Sequence, residues 1–139
     1  MSISRILDIA STGMAAQRLR VQLIASNIAN SETTRTKEGG PYRRKDAVFQ
    51  SQDLGFAGAL ATAGVRVAGI VTSQEPFLTR FEPSHPDADA NGVVSYPNVN
   101  PVEEMVNLTE ASRAYEANIA VVRSAKAMAS SALEILRVQ

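Results

Sequence analysis

Asp87, Asp89, Asn91 and Gly92 reproduce the opening of a calcium loop, D-x-D-x-N-G, in which alternate side-chain oxygens ligate the ion and the glycine allows a sharp turn. The pattern then fails. Its twelfth position is Asn98, where a bidentate glutamate is required, no helical pattern leads into it, and Val93 to Tyr96 reads as a strand. A turn held by Asp and Asn side chains is the expected outcome. His85, the only histidine, sits between Ser84 and Pro86 with no second histidine or cysteine to share a metal or a proton relay, and reads as a loop residue. The cluster Arg35, Lys37, Arg43, Arg44 and Lys45 has the charge to touch phosphates, but Glu32, Glu38 and Asp46 interleave with it and only Tyr42 offers an aromatic platform. It reads either as a solvated hairpin or, as we prefer, as a source of inter-subunit salt bridges through Arg35, Arg43 and Arg44. No phosphate-binding glycine loop, nucleophile elbow or HExxH motif occurs, so no catalytic residue, metal or cofactor is expected.

Composition points the same way. The chain has 14 basic and 14 acidic residues and zero formal net charge, so no global field recruits nucleic acid or an anionic membrane. Absence of cysteine excludes a disulfide framework and thiolate metal sites. Asp8 and Ser11 interrupt the apolar residues at the start, so a cleaved signal peptide is not expected, and no segment reads as a membrane span. Aromatics make up 5% of the chain, and much of the 45% hydrophobic content is alanine, which suits close helix contacts better than a globular interior.

The elements that would position any site are two long helices. At the front, Ile3, Leu7, Ala10, Met14, Gln17, Val21, Ile24 and Ile28 alternate steps of four and three. At the back, Met105, Leu108, Ser112, Tyr115, Ile119, Val122, Lys126, Ala129, Leu133 and Leu136 do the same. This is a coiled-coil seam, and Gln17, Ser112 and Lys126 on it are read either as register-fixing polar positions or as its wet edge. The front helix carries a second apolar edge in Ile6, Ile9, Gly13, Ala16 and Leu23, more than a two-stranded coil hides. It is expected to run from Ser2 or Ser4 to about Asn30. The back helix has Asn100 to cap, Pro101 at the first helical position and Glu103 to close a capping box, with Glu104 complementing the dipole. Helices of ~28 and ~37 residues would run ~42 and ~55 Å, whereas a compact chain of this size has a radius of gyration near ~14 Å. They would stand out as a rod with apolar edges to cover.

Between them, glycine and proline punctuate the chain, leaving short strands at Tyr42 to Phe49, Val65 to Val71, Phe77 to Glu82 and Val93 to Tyr96. The fold is therefore expected to be mainly α with a small β-rich insert: an N-terminal assembly helix (1–30), a central region of short strands and loops (31–100) and a C-terminal assembly helix (101–139), the helices forming a coiled-coil-like pair. Asn27 and Asn30 form an i, i+3 pair at the end of the front helix. Asn30 reads as a C-cap, or both amides as an inter-helix network that fixes register, which we prefer.

Several motifs resemble one family. Ala25-Ser26-Asn27-Ile28-Ala29-Asn30 is similar to the Ala-x-Asn-Ile/Leu-Ala-Asn signature of bacterial flagellar rod, hook and hook-associated axial proteins. Thr33-Thr34-Arg35-Thr36 with Glu38 to Arg44, Pro83 to Asp89, Tyr96 to Asn107 and Ala114-Tyr115-Glu116-Ala117-Asn118 are similar to runs typical of the basal-body rod proteins of proximal type. Ser31-Glu32-Thr33-Thr34 departs from the Asn-Thr-Pro-Gly turn of many axial relatives, so that turn is not carried over. The resemblance implies a torque-transmitting rod subunit, exported unfolded by the flagellar type III apparatus without signal cleavage. Its partners would be copies of itself and other rod proteins, in the periplasm. The implied interface comprises Ile3, Leu7, Met14, Val21, Ile24, Asn27, Ile28 and Asn30 in front, and Met105, Leu108, Tyr115, Asn118, Ile119, Val122, Leu133 and Leu136 behind. The competing architecture is a prefoldin-type chaperone, whose end helices pair around a β-hairpin. It leaves the asparagine and Pro-Tyr-Arg-Arg motifs unexplained.

Overall fold

The computed structural model describes residues 3–53 and 63–137. Helix α1 spans Ile3–Ala29 and helix α2 spans Pro101–Arg137, 27 and 37 residues long. Strands β1 (Lys45–Asp53) and β2 (Ala63–Thr72) pair antiparallel, as do β3 (Leu78–Phe81) and β4 (Val93–Tyr96), giving two separate two-stranded sheets. The molecule is thus mainly helical with a small central β portion, as its periodicities predict.

The helices run antiparallel. Asn27 bonds Glu104, and a Cβ built on Gly13 would lie 3.2 Å from the Asn118 amide nitrogen, so fourteen residues back along α1 correspond to fourteen forward along α2. By this register Ile3 falls opposite Met128, and α2 continues past it as far as Arg137. Among the described residues, α2 packs on no helix or strand but α1, while α1 also packs on β1 and β2. Gly13, counted above on the second apolar edge of α1, faces α2 at Asn118, so the strand contact is a further one. Thr12 pins the contact: its hydroxyl donates to Ile9 O (2.8 Å) and accepts from Val65 N (3.1 Å).

Packing corrects the expected seam of α2. The buried positions are Glu104, Ala111 and Ala125, with Asn118 half-buried, whereas Met105 is 56% and Leu133 62% exposed and Lys126 is also exposed. Half of the seam is therefore rotated by one residue, from 105-112-119-126 to 104-111-118-125. Leu108, Tyr115 and Val122 stay half-buried on the other half. The side chain of Leu136 lies outside the described residues. Small side chains explain the rotation: Ala111 and Ala125 on α2 and Ala10, Gly13 and Ala16 on α1 let the backbones approach, and dispersion between close surfaces replaces interdigitated leucines.

Local chemistry sets the ends of the elements. Asn100 Oδ1 accepts from Val102 N (3.1 Å), so the α2 cap is made to the second helical residue and not through the third-position bond of a capping box. Between β3 and β4, Asp89 Oδ1 accepts from both Asn91 N and Val93 N (2.8 Å each), and Gly92 takes φ +76°. The calcium-like motif is therefore a turn in which Asp89 serves backbone donors. His85 Nδ1 accepts from Asp87 N (3.1 Å) within the preceding loop. Tyr96 donates to Glu82 Oε2 (2.9 Å), a bond that raises the phenol's pKa by stabilising its protonated form.

The Gly13 contact yields a graded expectation. Gly13→Ala is tolerated, because the flexible Asn118 amide can yield by a few tenths of an ångström. Gly13→Leu forces the helices apart and costs about 1–3 kcal/mol, read as a lowered urea midpoint with unchanged slope.

Candidate assembly interface

The base of the helical hairpin is tied by a buried polar cluster. Asn27 is 1% exposed and uses its whole amide: Nδ2 donates to Lys45 O and Glu104 Oε2 (2.9 Å each), while Oδ1 accepts from Tyr42 Oη (2.9 Å) and Lys45 N (3.0 Å). Glu104, also 1% exposed, accepts on its other oxygen from Arg44 Nε at 2.7 Å. Burial alone would lower the pKa of Arg44, but the hydrogen bond and Coulomb attraction of Glu104 outweigh it, so the value is raised and the guanidinium stays charged. Arg44 N donates to Asn98 Oδ1 (3.1 Å), and Asn98 Nδ2 donates to Ser73 Oγ (2.9 Å). One cluster therefore joins α1, the start of β1, the segment after β2 and the first turn of α2.

The two asparagines of the expected network part company. Asn27 crosses to the other helix. Asn30 stays local, donating from Nδ2 to Ser26 O (2.9 Å) and accepting from Thr33 Oγ1 (3.2 Å), which satisfies a carbonyl at the helix end.

Of the other expected interface positions, Ile24 is buried, and Ile3, Leu7, Met14, Val21 and Ile28 on α1 and Leu108, Tyr115, Asn118, Ile119 and Val122 on α2 are half-buried within the chain. Met105 turns away from α1 and Leu133 lies on the part of α2 past the residue opposite Ile3; both are exposed, as are the apolar side chains of Val102, Val106, Val121, Met128 and Ile135. The three arginines all have partners inside the chain. Arg44 holds Glu104 and Asp46; Arg43 donates to Ser73 O (3.2 Å) and Glu75 O (3.3 Å) with its guanidinium 4.1 Å from the Phe77 ring centroid; Arg35 lies 3.6 Å from Asp87. Only Arg35, its side chain 78% exposed, remains largely in solvent.

Sequence reasoning missed Glu104 as a buried partner, reading it only as a dipole complement, and missed Tyr42 and Asn98. A signal existed: Asn27 is polar beside a run of apolar seam positions, and such a residue needs a buried partner.

The described residues contain no group of three or more His, Cys, Asp or Glu placed to hold a metal, and no helix long and apolar enough to cross a membrane. What this geometry offers is a helical hairpin with exposed apolar side chains on α2. Comparison with known proteins agrees. Residues 7–37 match the family described as flagella basal body rod protein, and residues 90–135 match the C-terminal family of flagellar basal body rod FlgEFG proteins. The flagellar basal-body rod protein FlgC of Borreliella burgdorferi is 43% identical, with 99% of each chain covered. That of Salmonella typhimurium is 46% identical over 92% of this chain and 93% of its own, and that of Bacillus subtilis 39% over 93% and 95%. The chain belongs to the FlgC-type flagellar basal-body rod proteins. This is a structural family, not an enzymatic one, and membership sets the chaperone alternative aside. The FlgC-type resemblance carried by the Asn27 and Tyr42–Arg44 motifs coincides with the polar cluster, since Asn27, Tyr42 and Arg44 build it.

The cluster makes a sharp prediction. Asn27→Ala strands the Glu104 oxygen and Tyr42 hydroxyl and costs about 1–3 kcal/mol. Asn27→Asp, placing a second carboxylate where the amide now meets Glu104, costs more at pH 7. The introduced carboxyl, held beside a buried carboxylate, has a raised folded-state pKa, so the variant regains stability as pH falls and loses it as pH rises through that value. Chemical denaturation at pH 7 and at pH 5 reads the difference.

Proposed function

We propose that the protein is a structural subunit of the bacterial flagellar basal-body rod that transmits torque by close side-by-side packing of helical hairpins. The observation that supports this best is the exposed surface of α2, where large apolar side chains cluster from Val102 to Val106 and again from Val121 to Ile135 on a helix already packed against α1. Exposed apolar patches of this kind mark interaction sites, and a staggered, close-packed interface resists both sliding and twist. On this reading residues 1–30 and 101–139 are the assembly segments and 31–100 a spacer and contact region. Met105 and Leu133 face neighbours, while the half-buried positions set the hairpin that presents them. The partners are copies of this chain and other rod proteins. Export by the flagellar type III apparatus without signal cleavage, and residence of the rod in the periplasm, complete the proposal.

The hairpin's far half is held mainly by alanine-sized contacts, so before assembly it should open more readily than the base. Limited proteolysis of the dilute protein is expected to cut first in the distal parts of α1 and α2, sparing the region around Asn27 and Glu104. Uniform resistance along both helices would oppose assembly-coupled ordering.

Substitution separates assembly from folding. Met105→Asp and Leu133→Asp, at exposed positions, should leave the circular dichroism spectrum unchanged but block incorporation into rods and abolish swimming. Ile24→Asp, at a buried position, should disrupt the hairpin itself. Normal rods built from either exposed variant would overturn the proposal.

A further inference from the structure

Two clefts of opposite charge flank the short segment 75–78. One, of about 480 Å³, is lined by Glu75, Pro76, Leu78, Val99 and Glu103; Arg44 also reaches it but is already paired with Glu104 and Asp46. The other, of about 650 Å³, is lined by Lys37, Arg43, Lys45, Tyr42 and Phe77, with Glu38 as the one carboxylate on its wall. Glu75 and Leu78 face the first cleft and Phe77 the second, so the segment is a ridge between an acidic and a cationic recess. Among the described residues, Lys37, Lys45, Glu75 and Glu103 take part in no ion pair. The acidic side adjoins apolar surface, because Val102 and Val106 flank Glu103 on α2 and are 70% and 55% exposed, and Leu78 is 52% exposed. The cationic side is shaped in advance: Arg43 is fixed by two backbone carbonyls and by the Phe77 ring.

A chain with no net charge that separates its charges into adjoining recesses carries a surface complementary to itself. We propose that this ridge is a head-to-tail docking edge between copies of this chain, in which the Glu75 and Glu103 side of one copy meets the Lys37 and Lys45 side of the next. In this contact each copy gives only its acidic side to one neighbour and only its cationic side to the other, so it is heterologous and propagates from copy to copy. Charge complementarity sets its register, and Leu78, Val102 and Val106 supply apolar area at its edge. This inference rests on the rod reading and specifies one of its contacts.

Charge reversal tests it. Glu75→Lys with Glu103→Lys gives a copy cationic on both sides, and Lys37→Glu with Lys45→Glu a copy acidic on both. All four sites are exposed, so circular dichroism should be unchanged. Each double variant should enter purified rods at least about tenfold less than wild type, because like charges then face each other. The quadruple variant, with complementarity restored in reverse, should recover to within a few-fold. In wild-type rods a zero-length carbodiimide should link lysine 37 or 45 to glutamate 75 or 103 between isotopically distinguishable copies. Normal entry of both double variants would overturn the docking edge and leave the rod reading standing. Exclusion without rescue by the quadruple variant would also overturn it, assigning the face to a different protein. Absence of the wild-type chain from rods would remove the rod reading, and this contact with it.

Discussion

Everything in the fold is referred to one buried bond, the Asn27 amide to the Glu104 carboxylate. A carboxylate taken out of water is costly unless its oxygens find donors, and here both oxygens do, one from Asn27 and one from Arg44. Sliding α2 along α1 by a single turn would leave an ion and an amide buried without partners, a penalty larger than the differences among alanine-lined registers. The polar cluster therefore contributes specificity more than net stability. It also reaches past the helices: Lys45 donates and accepts through its backbone at Asn27, and Asn98 hangs from Arg44, so β1 and the approach to α2 are placed by the same atoms.

How much of this was legible follows from what each signal encodes. Helix ends were read closely, because caps and breakers act locally: Asn100 and Pro101 start α2, and the apolar pattern of α1 gives out at Asn30. The strand sites came through for the same reason, with boundaries shifted by a few residues. The facing of α2 did not. A heptad pattern gives period but not azimuth when alanine recurs on several sides of the helix, and the choice between Met105 and Glu104 as the inward residue was decided by Asn27, 77 residues away. The arginines illustrate the same limit. Their charge was visible, yet that Arg43 lies against Phe77 and Arg44 against Glu104 depends on how the central strands fold back.

Small residues at the helix contact have an energetic corollary. Burying alanine removes far less apolar area from water than burying leucine, so the hairpin gains little from its own interior. Several larger side chains of α2, Val102, Met105, Val106, Val121 and Met128 among them, lie exposed where a neighbour can cover them. Stability in such a design is linked to association: binding of the folded form draws the folding equilibrium with it. The chain is then specified alone but stabilised in company.

The antiparallel register, fixed at one end and running out past Ile3 at the other, makes the hairpin a cantilever. Its clamp is the polar cluster together with the strand contact that reaches Thr12, and its free length is the part of the hairpin beyond Thr12 with the overhanging tip of α2. Deflection of a cantilever grows with the cube of its unsupported span, so an isolated arm is compliant however rigid its clamp. Props along the span, set at intervals much shorter than the arm, convert the same material into a stiff beam.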